Sequence, residues 1–502
     1  MPESSTPTDT SASSKEEAAT GTQSSNGSSS FNLEALKSVT STADVVAEGD
    51  EPAPPRKVYE STLFADRKSR RAPSSIILFA IIAVAGILAY IVYAPHPRRH
   101  VVSVGKMVYA ASDTAGGSSK IYVANVDGSG AQVLAPSAAI DDSPAFSPDG
   151  NQVAFISTRQ GSDRQVFLMD ADGQNIQQIT RNSGSKSSPS FALSTGCRVI
   201  GFASSGTLYA ADTAAGEIDQ LFPEPPKNNS HGVAQGQTDT RPDDAKLSVG
   251  LYAFAPKAAD KDHQATAVVV NDGAEEGFGV LPQFGGALKQ LHGSFNGQDA
   301  PMPPGANVTM GWTQDGGLIA VAMTGIMMPK SSDKAPAPQI SGLFLTDASG
   351  QVQRALVGMA INNEDKVSLA NLLGHLGLPV QQTALIQGAA HHLVGPEHPV
   401  FSPDGDQVYF ELWDQTDVAT RECKGLYKVS ISGGEVPELA IAGNVEGTHF
   451  TRDGKSILYL TKRADGGHDL WSVGVDGTGQ KKISDGKQDI TEVAISPQVA
   501  HD

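Results

Sequence analysis

Residues 143–180, SPAFSPDGNQVAFISTRQGSDRQVFLMDADGQNIQQIT, hold a pattern that the chain repeats along most of its length. SPAF leads into the turn SPDG, NQVAFIS and RQVFLMDA alternate apolar and polar residues, and a second Asp-Gly turns the chain into NIQQIT. Period-2 alternation bounded by Asp-Gly and Pro-Asp-Gly marks short antiparallel strands joined by tight turns, where glycine takes positive φ without a Cβ clash. Four such strands make one propeller blade, a unit that buries its faces only against neighbouring copies.

The second half of the unit recurs from Ile121, Val166, Leu208, Phe278, Leu343, Leu426 and Leu470. The first half recurs as FSPDGNQVAF at Phe146, WTQDGGLIAV at Trp312, FSPDGDQVYF at Phe401 and FTRDGKSILY at Phe450, with a looser copy at Phe191 and a poor echo at Phe254. The expectation is an all-β, seven-bladed propeller of four-stranded antiparallel blades over residues 105–497, six blades being the alternative. The first copy, MVYAAS from Met107, lacks a preceding SPAFSPDG segment, whereas the chain ends on an unmatched one, ITEVAISP, from Ile490. The C-terminus is therefore expected to supply the innermost strand of blade one, pairing edges that an open ring would expose.

These Phe-Ser-Pro-Asp-Gly segments resemble the TolB-type propeller repeat, found in the Tol-system protein TolB and in many bacterial envelope proteins. The resemblance implies the fold and an envelope location, and leaves function open because such rings serve as scaffolds, sensors and enzymes. It also has limits: TolB carries a cleaved signal and an α/β domain before a six-bladed ring, whereas this chain is expected to carry a membrane anchor and seven blades.

Residues 1–55 are rich in Ser, Thr, Gly, Ala and Glu and poor in aromatic residues, a composition that predicts a disordered tail. Residues 56–75 are basic, and 76–94, IILFAIIAVAGILAYIVYA, carry no charge. At 1.5 Å per residue that run reaches roughly 28 Å, the thickness of a bilayer core. A single membrane span follows, with the basic flank and tail in the cytoplasm and the ring periplasmic or extracellular, at the bacterial cytoplasmic membrane. The net charge of -18 argues against nucleic acid as a partner. The expected partner is an envelope protein or glycan.

Two stretches interrupt the repeat, a Pro- and Asn-rich loop over 222–246 and an insertion over 358–399. Within the second, Leu369, Leu372, Leu373 and Leu376 fall at helical spacing, between Asn363 with Asp365 as a start and Gly377 with Pro379 as a stop. That stripe either packs on the ring or binds a partner. Cys197 and Cys423 fall in different blades, too far apart for a disulfide. The segments VDGSG, DADGQ and VDGTG lack a full calcium-loop pattern and read as hairpin turns.

No G-x-S-x-G elbow, phosphate loop or H-E-x-x-H motif is present. No cofactor is expected. One enzymatic alternative rests on resemblance: some propellers of this kind are metal-dependent oligogalacturonide lyases whose histidines converge on a divalent metal. The candidates here are His398 and His449, at the starts of inner strands on adjacent blades, with His391 and His392 in the insertion before them.

Overall fold

The chain divides into two units, residues 1–94 and 95–502. The computed structural model describes residues 105–114, 117–192, 198–223, 247–256, 264–273, 275–283, 287–295, 298–327, 339–360, 363–380, 383–387, 394–414 and 421–497, all in the second unit. The tail, the basic segment, the apolar run 76–94, nearly all of the loop 222–246, Cys197, His391 and His392 lie outside the described residues. Among the described residues, no helix is long and apolar enough to cross a membrane.

Seven sheets form the blades. Blade two runs Asp141–Phe146, Gln152–Ser157, Gln165–Asp170 and Gln177–Gln178 from the inner strand outward, and blade three runs Ser187–Ala192, Val199–Ser204, Thr207–Asp212 and Ile218–Phe222. Blade four begins at Ser248–Phe254, blade five at Asn307–Trp312, blade six at Val394–Phe401 and blade seven at Glu446–Phe450. Blade one closes the ring as the repeat pattern implied: Asp489–Ile495 pairs antiparallel with Lys106–Ser112, with Met107 opposite Ile495 and Ser112 opposite Asp489.

The recurring turn holds each inner hairpin by one device. In SPDG, Ser147 Oγ donates to Asp149 Oδ1 at 2.6 Å and accepts from the Gln152 N–H at 2.9 Å. The same bonds recur at Ser402, Thr313 and Thr451, each with an Asp two residues on and a backbone N–H five residues on. The glycine that follows, such as Gly150 at φ 67° or Gly405 at φ 80°, occupies the left-handed region. The segments that faintly resembled calcium loops are turns closed on themselves: Asp127, Asp172 and Asp476 accept the N–H two residues ahead at 2.9, 3.0 and 2.9 Å.

Blade five departs from the expected four antiparallel strands. It has five, the last being Ala384–Gln387, which runs parallel to Val352–Ala360. A parallel neighbour needs a crossover, here the helix α1, Asn363–His375. Gly377, at φ 71°, ends it in the left-handed conformation of a helix C-terminus. A second departure is the hairpin His292–Phe295 with Gln298–Pro301, inserted between blades four and five. Helix and hairpin pack together, Gly293 lying so near Leu376 that a Cβ would meet its backbone at 2.7 Å. Leu369, Leu372, Leu373 and Leu376 are 0–1% exposed and join the core of blades four and five beside Val308, Ile319 and Phe344. As a partner-binding stripe they are corrected: these leucines are interior packing and offer no docking face.

Candidate functional site

Inner strands of blades two, three, six and seven share a bulge near their start. The register shifts after Asp142, Ser187, Glu397 and Glu446, and the next residue takes positive φ: Ser143 at 51°, Ser188 at 52°, His398 at 47° and Gly447 at 59°. Three of these residues are not glycine, so the surrounding packing holds a conformation that costs energy. Neighbouring blades are stitched at these points. Ser143 Oγ lies 3.2 Å from Glu492 Oε1 on the closing strand, Tyr252 O–H donates to the Ser188 carbonyl at 2.5 Å, and the His398 N–H donates to Thr309 Oγ1 at 2.8 Å.

Beside the bulge, three blades repeat a pairing. The acid just before the bulge meets a basic side chain at the start of the third strand: Asp142 pairs with Arg164 at 2.5 Å and Glu397 with Arg421, and Glu446 lies 3.7 Å from the His468 ring. Burial pushes Asp142 and Glu397 above the usual carboxylate range, and their arginines only partly offset it. Glu492 is raised by burial and by the nearby charge of Asp142.

Blade six breaks the repeat at one residue. Opposite the residue before the bulge, on the second strand, blades two, three, four and seven place Ile156, Ala203, Val270 and Leu460, all buried and aliphatic. Blade six places Glu411 there, 0% exposed. Its Oε2 accepts from His398 Nδ1 at 2.8 Å and from Trp413 Nε1 at 3.0 Å, while Oε1 has no hydrogen-bond partner. A buried carboxylate is costly unless a cation meets it. His398 fills that role with its ring half exposed. Burial pulls the His398 pKa down, but the hydrogen bond and charge of Glu411, helped by Glu397, outweigh it and leave a net rise. Beside it, Arg421 holds Glu397 and lies over the Trp413 ring, 4.2 Å from its centroid.

Of the histidines picked from the sequence, His398 is bonded to Glu411, and His449, buried on the next blade, feels only the charge of that carboxylate. Burial lowers the His449 pKa and the charge of Glu411 opposes that shift. Among the described residues, no group of three or more His, Cys, Asp or Glu side chains could hold a metal ion. Cys423, buried close by, has its thiol pushed up to about 11 by burial. Glu411, Arg421 and Trp413 were missed in the sequence, where ELWD reads only as strand; aligning the blades by register exposes the carboxylate among aliphatic residues. A cleft of about 190 Å³ beside blade four, lined by Val270, Phe278, Leu291 and Met302, lies apart from this cluster and is small for a ligand pocket.

The TolB beta propeller domain family matches residues 102–221. The chain is 45% identical over 47 residues to the Tol-Pal system protein TolB of Geobacter metallireducens, a match spanning 9% of this chain and 11% of that protein. It is 44% identical over 54 residues to the protein TolB homolog of Chlorobium luteolum, spanning 11% and 12%. The chain therefore covers only about a tenth of the length of these relatives. TolB from Acinetobacter baumannii aligns at 14% identity and a TM-score of 0.40, over 84% of this chain and 73% of that one. An oligogalacturonate lyase in complex with manganese does so at 10% identity and 0.41, over 76% and 86%. At these scores neither likeness bears on what this ring does. The seven blades and the Phe-Ser-Pro-Asp-Gly turns at Phe146 and Phe401 are similar to the TolB-type β-propeller repeat, and the family match over residues 102–221 agrees with that likeness.

Proposed function

We propose that the ring is a noncatalytic binding scaffold or sensor of the bacterial cell envelope, held at the cytoplasmic membrane by residues 76–94 and taking a protein partner at the bulged starts of its inner strands. The observation that carries the reading is Glu411, a buried carboxylate kept where the other blades pack an aliphatic side chain. A residue that breaks the repeat at a cost to packing marks a site with a task beyond folding. The membrane anchor is supported by the charge-free run 76–94 and its basic flank. Affinity capture from envelope extracts tests the binding role: the full-length chain should retain a partner in stoichiometric amount. External protease on spheroplasts should digest the ring and spare the tail; digestion of the tail alone would reverse the orientation.

The lyase alternative gains from His398 and His449 lying on inner strands of adjacent blades, yet His398 Nδ1 is engaged by Glu411, and the described residues do not fit a metal centre. The purified protein is expected to carry no stoichiometric divalent metal and to leave polyuronate uncut. Metal at one equivalent, lost in His398→Ala or His449→Ala, would promote the enzyme reading instead.

A further inference from the structure

We infer that the His398–Arg421 edge of blade six is a carboxylate-binding site, receiving an acidic side chain or the C-terminal carboxylate of a protein partner. The inference rests on the binding role proposed above and names its chemistry. Two donors meet at Glu397, which precedes His398 and pairs with Arg421; their side-chain exposures are 50% and 39%, and each is backed by a glutamate at 0% and 2%. Glu411, holding Nδ1 at 2.8 Å, fixes the ring so that Nε2 faces away from the carboxylate. Because Glu411 sits fully buried with Oε1 unpartnered, it is best neutralised by an imidazolium, which makes Nε2 a donor. Arg421 places one nitrogen on Glu397 and is steadied by the Trp413 face, and its guanidinium has further N–H groups to offer. The backing carboxylates orient the donors, while an approaching ligand meets the more exposed N–H groups first. Charge-assisted donors of this kind suit a carboxylate. A sugar ring is less well served, since Trp413 is 7% exposed and its face is taken by Arg421.

The test uses the full chain with histidine labelled at Cε1 and follows the His398 resonance, assigned by its loss in His398→Asn. Asparagine suits the variant because it tolerates the left-handed backbone. The probes are the peptides acetyl-Gly-Glu-Gly-amide, acetyl-Gly-Gly-Gly with a free C-terminus, and acetyl-Gly-Gln-Gly-amide as the neutral control. At least one carboxylate peptide should shift the resonance saturably, and which one does so separates side chain from C-terminus. The Gln peptide should not, and Arg421→Gln should weaken binding by about tenfold in a ring that still folds, with a melting temperature lowered by loss of the Glu397 pairing. No saturable shift from either carboxylate, an equal response to the Gln peptide, or undiminished binding in Arg421→Gln overturns the proposal. So does a response to trigalacturonate alone, which would assign the edge to a glycan. Should His398→Asn fail to fold, Arg421→Gln carries the test. Partner capture that survives in Arg421→Gln, with no peptide binding, would sink this site and leave the scaffold role standing.

Discussion

Lys186 is 1% exposed, and its ammonium is spent on backbone: Nζ donates to the carbonyls of Gly184 at 2.6 Å, Ser183 at 3.1 Å and Asn182 at 3.4 Å. Burial pulls its pKa down, with Asp163 opposing. The residue thus pins the crossing from blade two to blade three. Lys186→Met keeps the stem but strips the carbonyls of their donor, and should destabilise the ring by about 1–3 kcal/mol in denaturant melts. Glu411 works in the opposite sense, holding a charge inside for the benefit of a partly exposed ring. Glu411→Gln should therefore lower the pKa of His398, read by NMR titration. A folded-state pKa raised above the unfolded value near 6.5 gives stability that is complete at lower pH and is lost as the pH rises through the raised value. The wild-type ring should lose stability across that interval, and Glu411→Gln should flatten the loss.

At the scale of the element, the Ser-Pro-Asp-Gly turn ties local sequence to strand pairing. Ser402 and the Asp406 N–H hold Asp404 below the usual carboxylate range. Such a depressed group stabilises above its unfolded pKa, near 4, and loses that contribution as the pH falls through the folded value. Ser402→Ala should lower the melting temperature at pH 7 and lower it less at pH 2. Between blades five and six, Gly311 allows the inner strands to approach, since a Cβ there would lie 2.1 Å from the Pro399 carbonyl oxygen. Gly311→Ala should cost about 1–3 kcal/mol in the same melts. These turns are why so much of the ring is legible in the sequence: Asp-Gly turns and alternation locate blades two, six and seven, and the unmatched ITEVAISP gives the closure. Helix α1 was legible from its leucines and its Gly377 stop. The inserted hairpin was overlooked although Asn296-Gly297 separates its two strands, the strongest short hairpin signal there is. Ala384–Gln387 carries no local mark of a parallel edge strand, because its pairing depends on the helix before it. For the site, His398 and His449 stood out by residue type, whereas Glu411 gains meaning only once registers are known, and Arg421 only once its pairing with Glu397 is seen.

For the whole molecule, one closing strand decides whether seven sheets act as a ring. Deleting from Asp489 onward removes the partner of Lys106–Ser112 and the Glu492 contact to Ser143. Each buried hydrogen bond left unmade costs about 1–3 kcal/mol, against the roughly 5–15 kcal/mol that holds a typical domain folded. The truncated protein should unfold or aggregate in a thermal scan. Deleting Pro2 to Glu51 should leave the melting temperature of the ring unchanged, the expectation for a tail that buries nothing. The same closure sets a clock on biosynthesis. Met107 is made roughly 390 residues before Ile495, yet they are register partners in one sheet. At about 5–20 residues per second, blade one waits roughly 20–80 s for its inner strand. During that interval the growing chain displays an unpaired edge, open to mispairing until the closing strand emerges.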